Sequence, residues 1–297
     1  MNWVVVLLLF VPFFALASTR VVAALRRFYD NRLHGGLLAA LLLVPYLLSA
    51  LPEAQRHPAD FGSGLIRMLA YIGVPTLLML FRPPDRRPLD WMDVAAILAL
   101  WFPIEFDWLP DISAQVAGLS LPVAKLIGVD LAFLLFRVIR PIEGLGYSYR
   151  FSRQDLGRAL QGLAAFAIVG LPLGFAIRFI SLQLAPVDPA RWALSLLGIY
   201  FLIGIPEELL FRGIIQNLIE HRWGRRWWTL ALAAVVFGAA HLDNATLGYP
   251  VPNLAYMLMA GLAGLAYGWV WQRTGKINAA ALTHALVDWI WGVVLGG

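Results

Sequence analysis

Gly204-Ile205-Pro206-Glu207-Glu208-Leu209-Leu210-Phe211-Arg212 sets two adjacent carboxylates and an arginine inside an apolar stretch, roughly residues 192–219, that is long enough to cross a membrane. A single Asp, Lys or Arg at the centre of a spanning helix costs about 2.5–3.5 kcal/mol even on lenient insertion scales. Such groups persist in hydrocarbon only where partners offset the cost or chemistry requires them. They must then face protein or a water-filled space, not lipid.

The rest of the chain fits a membrane setting. It has 297 residues, of which 60% are hydrophobic and 14% charged, whereas a soluble domain carries about 25% charged residues. Ten apolar segments are predicted to span the bilayer: 2–19, 36–52, 64–81, 91–108, 115–136, 157–180, 192–219, 227–242, 253–271 and 277–296. The predicted fold class is all-α, a polytopic helix bundle. Residues 3–17 carry a cleavage-like Ala15 and Ala17, but no Lys or Arg precedes them, so a retained first helix is expected.

The basic residues support this count. With the N-terminus outside and sides alternating, the inner loops hold 17 of the 23 lysines and arginines. That is the asymmetry of the positive-inside rule, and it places both termini outside. It also explains the net charge of +5 without nucleic acid, since no Lys/Arg run with interleaved aromatics occurs. The partners expected are the lipid bilayer and a membrane protein or peptide. The absence of cysteine excludes disulfides, thiolate metal sites and cysteine nucleophiles. The longest polar connection, about 137–156, contains Tyr147, Tyr149, Phe151 and several arginines, and reads as an interfacial segment.

Three constellations carry chemistry. Glu208 and Arg212 are four residues apart, share a helix face and can pair. That leaves Glu207 as the unpaired carboxylate, suited to general acid or base work. Pro206 removes a backbone N–H and Gly204 adds freedom, which points to a local break in the helix. The second constellation is Phe237-Gly-Ala-Ala-His241, whose small residues let His241 approach a neighbouring helix. The third is His284-Ala-Leu-Val-Asp288, again four apart on one face: a self-satisfied polar pair, a histidine oriented by a carboxylate, or two ligands. Two His and one Glu also form a zinc set in some hydrolases, but His-Glu-x-x-His is absent. No metal or other cofactor is expected. A zinc-dependent protease, a non-enzymatic immunity or scaffold protein and a proton-coupled carrier stay open on the residues alone.

In this order, Glu-Glu-x-x-x-Arg, Phe-x-x-x-His and His-x-x-x-Asp resemble the CPBP family, the CAAX proteases and bacteriocin-processing proteins of the Abi type. The resemblance covers about residues 190–297. It implies an intramembrane glutamic endopeptidase, in which Glu207 acts on a water assisted by His241 while Glu208 and Arg212 orient the site. His284 and the residue four beyond it would hold the oxyanion. That second residue is Asn in prenyl-protein processing members and Asp288 here. An ionised Asp cannot stabilise an anion, so Asp288 would have to be protonated or serve to orient His284. The implied organisation is a catalytic bundle at 156–297 after N-terminal transmembrane helices at 1–155, in the inner membrane of a bacterium.

Overall fold

A computed structural model describes residues 2–295, apart from residues 55, 185 and 187 and the side chain at position 53. The protein is an all-α polytopic membrane protein, 73% helical. It divides into two compact units, residues 1–143 and 144–297.

The first unit contains α1 (Asn2–Ala15), α2 (Thr19–Phe28), α3 (Arg32–Leu41), α4 (Leu43–Ala54), α5 (Pro58–Phe81), α6 (Trp91–Glu105) and α7 (Val123–Phe133). Strands β1 (Ser113–Val116) and β2 (Leu119–Pro122) form an antiparallel hairpin before α7. Every residue of α7 except Lys125 is buried, Asp130 included. It packs its Ile127, Leu131 and Phe133 into a core shared with Val5, Leu9 and Phe13 of α1. A buried charge cluster closes the unit near the start of α6. There Asp93 accepts from Arg140 Nη2 at 2.8 Å and from the Leu89 amide at 2.8 Å, with Arg82 Nε 3.1 Å away.

The second unit contains α8 (Arg153–Ala176), α9 (Pro189–Ile199), α10 (Ile205–Glu208), α11 (Asn217–Trp223), α12 (Trp227–Ala239), α13 (Leu254–Thr274) and α14 (Ile277–Val294). Helices α9, α10 and α11 form one continuous helical rod, Pro189–Trp223, joined by π-helical turns at Tyr200–Gly204 and Leu209–Gln216. Helix α13 packs on both α12 and α8. Small residues let it approach: a Cβ on Gly238 of α12 would lie 2.5 Å from the Met257 carbonyl of α13, so the backbones meet without intervening side chains.

Among the described residues, six helices are long and apolar enough to span a bilayer: Arg32–Pro52, Pro58–Phe81, Arg153–Ala176, Pro189–Trp223, Leu254–Thr274 and Ile277–Val294. A bent pair, α1 with α2, raises the number to seven if counted as one span. The ten apolar segments therefore do not all become full spans. The stretch 115–136 begins as the hairpin, α6 stops after 15 residues, and α12 has only 13. Near the N-terminus, the chain turns by 100° between α1 and α2. Ser18 caps α2 there by accepting from the Val21 amide, and α2 carries Arg20, Arg26 and Arg27.

Candidate active site

The Glu-Glu pair sits where the long helical rod departs from α geometry. Pro206 has no N–H with which to close the turn behind it, and the wider π turn at Tyr200–Gly204 ends two residues earlier. Gly204 is required at this point, since a Cβ there would meet the Ala281 carbonyl of α14 at 2.9 Å. The close approach puts α10 directly against α14, which carries His284 and Asp288. A second π turn, Leu209–Gln216, begins immediately after Glu208 and contains Arg212.

Glu208 and Arg212 are both buried. Arg212 Nη1 donates to Glu208 Oε1 at 2.7 Å, and Arg212 Nη2 donates to the Gly264 carbonyl of α13 at 3.1 Å. Two aromatic faces cover the guanidinium, with Phe237 4.2 Å and Tyr267 5.1 Å from its carbon. Glu208 Oε1 also accepts from His284 Nδ1 at 2.9 Å. A carboxylate can only accept, so this bond fixes Nδ1 of His284 as a donor. Its other nitrogen, Nε2, faces Asp288 Oδ2 at 3.2 Å and Glu207 Oε2 at 3.8 Å. Tyr267 stacks on the imidazole with centroids 4.7 Å apart and planes 14° apart. The ring of His284 is thus held by its edges and by one face.

His241 follows the end of α12. Its Nδ1 donates to the Phe237 carbonyl at 2.9 Å, so the neutral ring carries its lone pair on Nε2. Tyr256 lies 4.7 Å from the ring and Phe237 lies 4.9 Å from it. Phe237 therefore has three roles at once. It supplies the carbonyl that sets the His241 tautomer, underlies the Arg212 guanidinium, and contacts His284 edge-on at 5.8 Å.

Glu207, His241, His284 and Asp288 all line one cavity of about 540 Å³. Its other walls are mostly apolar and include Leu163, Ala167, Met259 and Trp291. Oε2 of Glu207 is buried and has no hydrogen-bond partner. Glu208 and Arg212 are not among the lining residues; they stand behind His284. Four of the six site residues expected from sequence thus reach the cavity, and the other two brace it. Among the described residues, no group of three or more His, Asp or Glu is arranged to hold a metal ion.

The family described as type II CAAX prenyl endopeptidase Rce1-like matches residues 189–290, from the first turn of α9 to late in α14. Through this stretch the chain is similar to the CAAX protease (CPBP) family. No curated protein and no solved structure is a significant match. The matched family is one of membrane-embedded peptidases. All six site residues lie inside the matched stretch.

Sequence reasoning missed several side chains that shape this candidate site. Tyr267 and Tyr256 look like ordinary core aromatics, and only their contacts mark them, Tyr267 stacked on His284 and Tyr256 tilted against His241. Phe237 belongs to a motif, but its place beneath Arg212 comes from α12 crossing the helical rod. Asn244 lines the cavity three residues after His241, and its nearness to that histidine was the one available signal.

Proposed function

We propose that the protein is an intramembrane glutamic endopeptidase that hydrolyses a peptide bond in a membrane-associated protein or peptide with an activated water. The observation that carries this reading is that Glu207 lines one cavity together with His241 and His284. Glu207 takes a proton from water while Nε2 of His241 accepts from the same water. The hydroxide then attacks the scissile carbonyl carbon to give a tetrahedral oxyanion. His284 donates to that oxyanion from Nε2, the nitrogen nearest Glu207 and Asp288. Collapse breaks the C–N bond, and Glu207 returns its proton to the leaving amine, so no acyl-enzyme forms. Glu208 and Arg212 hold His284 from behind, and Asp288 orients it from the cavity side.

The predominantly apolar walls suit a substrate segment that enters from the bilayer. The charge distribution supports an orientation with both termini outside, in the inner membrane of a bacterium. Residues 1–155 then form a membrane-embedded N-terminal region, and 156–297 form the catalytic bundle.

The test is cleavage of a membrane-tethered peptide library by purified protein in proteoliposomes, with products read by mass spectrometry. Glu207→Gln abolishes cleavage while leaving the thermal unfolding midpoint in place. Full activity in that variant would refute the mechanism. Activity lost on chelation and restored by zinc would replace it with a metalloprotease.

A further inference from the structure

We infer that the second unit carries a binding site for the phosphate of an anionic phospholipid headgroup, built by Arg158 and Arg273 around Trp269. Arg158 belongs to the second turn of α8, and Arg273 to the last turn of α13. Both guanidinium groups lie over the same indole, at 6.0 Å and 5.5 Å from the Trp269 ring centroid. Two like charges gathered on one ring repel each other, and the ring offsets only part of that repulsion. An anion between them would remove it.

The nearby carboxylate is committed elsewhere. Oδ2 of Asp155 accepts from the Ser152 amide at 2.7 Å, from Ser152 Oγ at 2.8 Å and from Lys276 Nζ at 2.6 Å. Among the described residues, neither Arg158 nor Arg273 has a carboxylate within ion-pair distance, and the hydrogen bond shown for Arg158 goes to the neutral Gln161 Oε1 at 2.9 Å. Arg150 and Arg153 add two exposed charges just ahead of and at the start of α8. The result is a surplus of cations at one end of two helices long and apolar enough to span a bilayer.

That position selects the ligand. The ends of spanning helices, where Trp and Arg gather, lie at headgroup depth. The exposed Tyr149 and Phe151 flank Arg150, which suits a segment resting in the interface. A diffusible phosphate would gain nothing from these aromatics, whereas a phospholipid presents its phosphate beside acyl chains that they can contact. The site also acts on the cavity, because α8 starts among these arginines and then supplies Leu163 and Ala167 to the cavity wall. A bound lipid therefore fixes the end of a helix that shapes the space where substrate is proposed to bind.

Native mass spectrometry of the intact protein released from detergent tests this directly. The probes are phosphatidylglycerol, phosphatidylcholine of the same chain length and inorganic phosphate. The wild-type protein should retain phosphatidylglycerol in preference to phosphatidylcholine, and R158Q/R273Q should lose about tenfold of that preference. R158K/R273K should keep most of it, since the charge is preserved. Equal retention by wild type and R158Q/R273Q would overturn the site. Displacement of the lipid by millimolar inorganic phosphate would overturn the lipid as its source. If the double variant fails to reach the wild-type unfolding midpoint, R158Q alone gives the same reading, with a smaller loss. None of these outcomes depends on catalysis, so failure here is separable from failure of the proposed hydrolysis.

Discussion

Each unit buries a group of carboxylates and arginines, and the two groups are built in opposite proportion. In the first unit, Asp93 and Asp90 face three arginines, with Arg82 and Arg140 on Asp93 and Arg82 and Arg86 on Asp90. Backbone amides of Leu89 and Asp90 add to the donors on Asp93. In the second unit, Glu207, Glu208 and Asp288 share one arginine and one histidine. A surplus of cations holds its carboxylates in ion pairs and makes a clasp. A surplus of carboxylates leaves three of them sharing two cationic partners, and of the three Glu207 and Asp288 line the cavity. The ratio of charges and the presence of open space separate chemistry from structure here. A buried ion pair alone says little, because its desolvation cost can exceed its gain.

The largest expected effect tests the carboxylate-rich side. Replacing Glu207 by Gln should lower the cleavage rate by roughly 10²–10⁴-fold, the range of a lost general base. Its stability should hold or rise, because the removed charge had no hydrogen-bond partner on Oε2. Parallel rate and thermal-unfolding measurements check this, and a large loss of stability would move Glu207 to the clasp category. Replacing Arg212 by Met strips Glu208 of its permanent cation inside a fully buried pair. That should destabilise the protein by about 3–5 kcal/mol, the cost of leaving a buried charge unpaired. Chemical denaturation in detergent measures it, and an unchanged midpoint would mean that Glu208 does not depend on Arg212.

Part of this arrangement was legible in the chain. The spacing of Glu208 and Arg212, and of His284 and Asp288, fixes a shared helix face, and both pairs are within reach of each other in the structure. The bond from His284 to Glu208 spans 76 positions, and nothing local to either residue encodes it. The depths of the three motifs also look mismatched when straight helices are assumed. The π turns at Tyr200–Gly204 and Leu209–Gln216 alter the rise and phase of the helical rod around Glu207, and α12 is short enough for His241 to follow its end. These are consequences of packing against α13 and α14, so periodicity cannot show them. The count of ten spans is not confirmed, for a related reason. Apolar length alone credits 115–136 as a helix, although its first part belongs to a hairpin whose first strand, Ser113–Val116, alternates exposed Ser113 and Gln115 with buried Ala114 and Val116.

A smaller effect tests the cation-rich side. Replacing Arg140 by Gln removes one donor from Asp93 while Arg82 and the Leu89 amide remain. The expected loss is about 1–3 kcal/mol, that of one charged hydrogen bond, and the rate of cleavage per folded molecule should not change. A fall in that rate would show that the first-unit cluster contributes to chemistry, which would break the contrast between the two groups.

The smallest effect belongs to Asp288, and it decides what the third carboxylate of the second unit is for. Its Oδ2 stands 3.2 Å from His284 Nε2. Asn at this position keeps an oxygen that can accept from the same nitrogen, losing only the charge. If Asp288 serves to orient the imidazole, Asp288→Asn should slow cleavage by about tenfold at most, the value of one weakened hydrogen bond of roughly 1 kcal/mol. Asp288→Ala should cost more, because it removes the acceptor as well. The two variants read together separate geometry from charge. If Asn is as damaging as Ala, the negative charge itself is needed, and Asp288 shares with Glu207 the task of handling the proton. If Asn speeds cleavage, the surplus of carboxylates beside the developing oxyanion exceeds what the chemistry needs, with Glu207 alone sufficient as base.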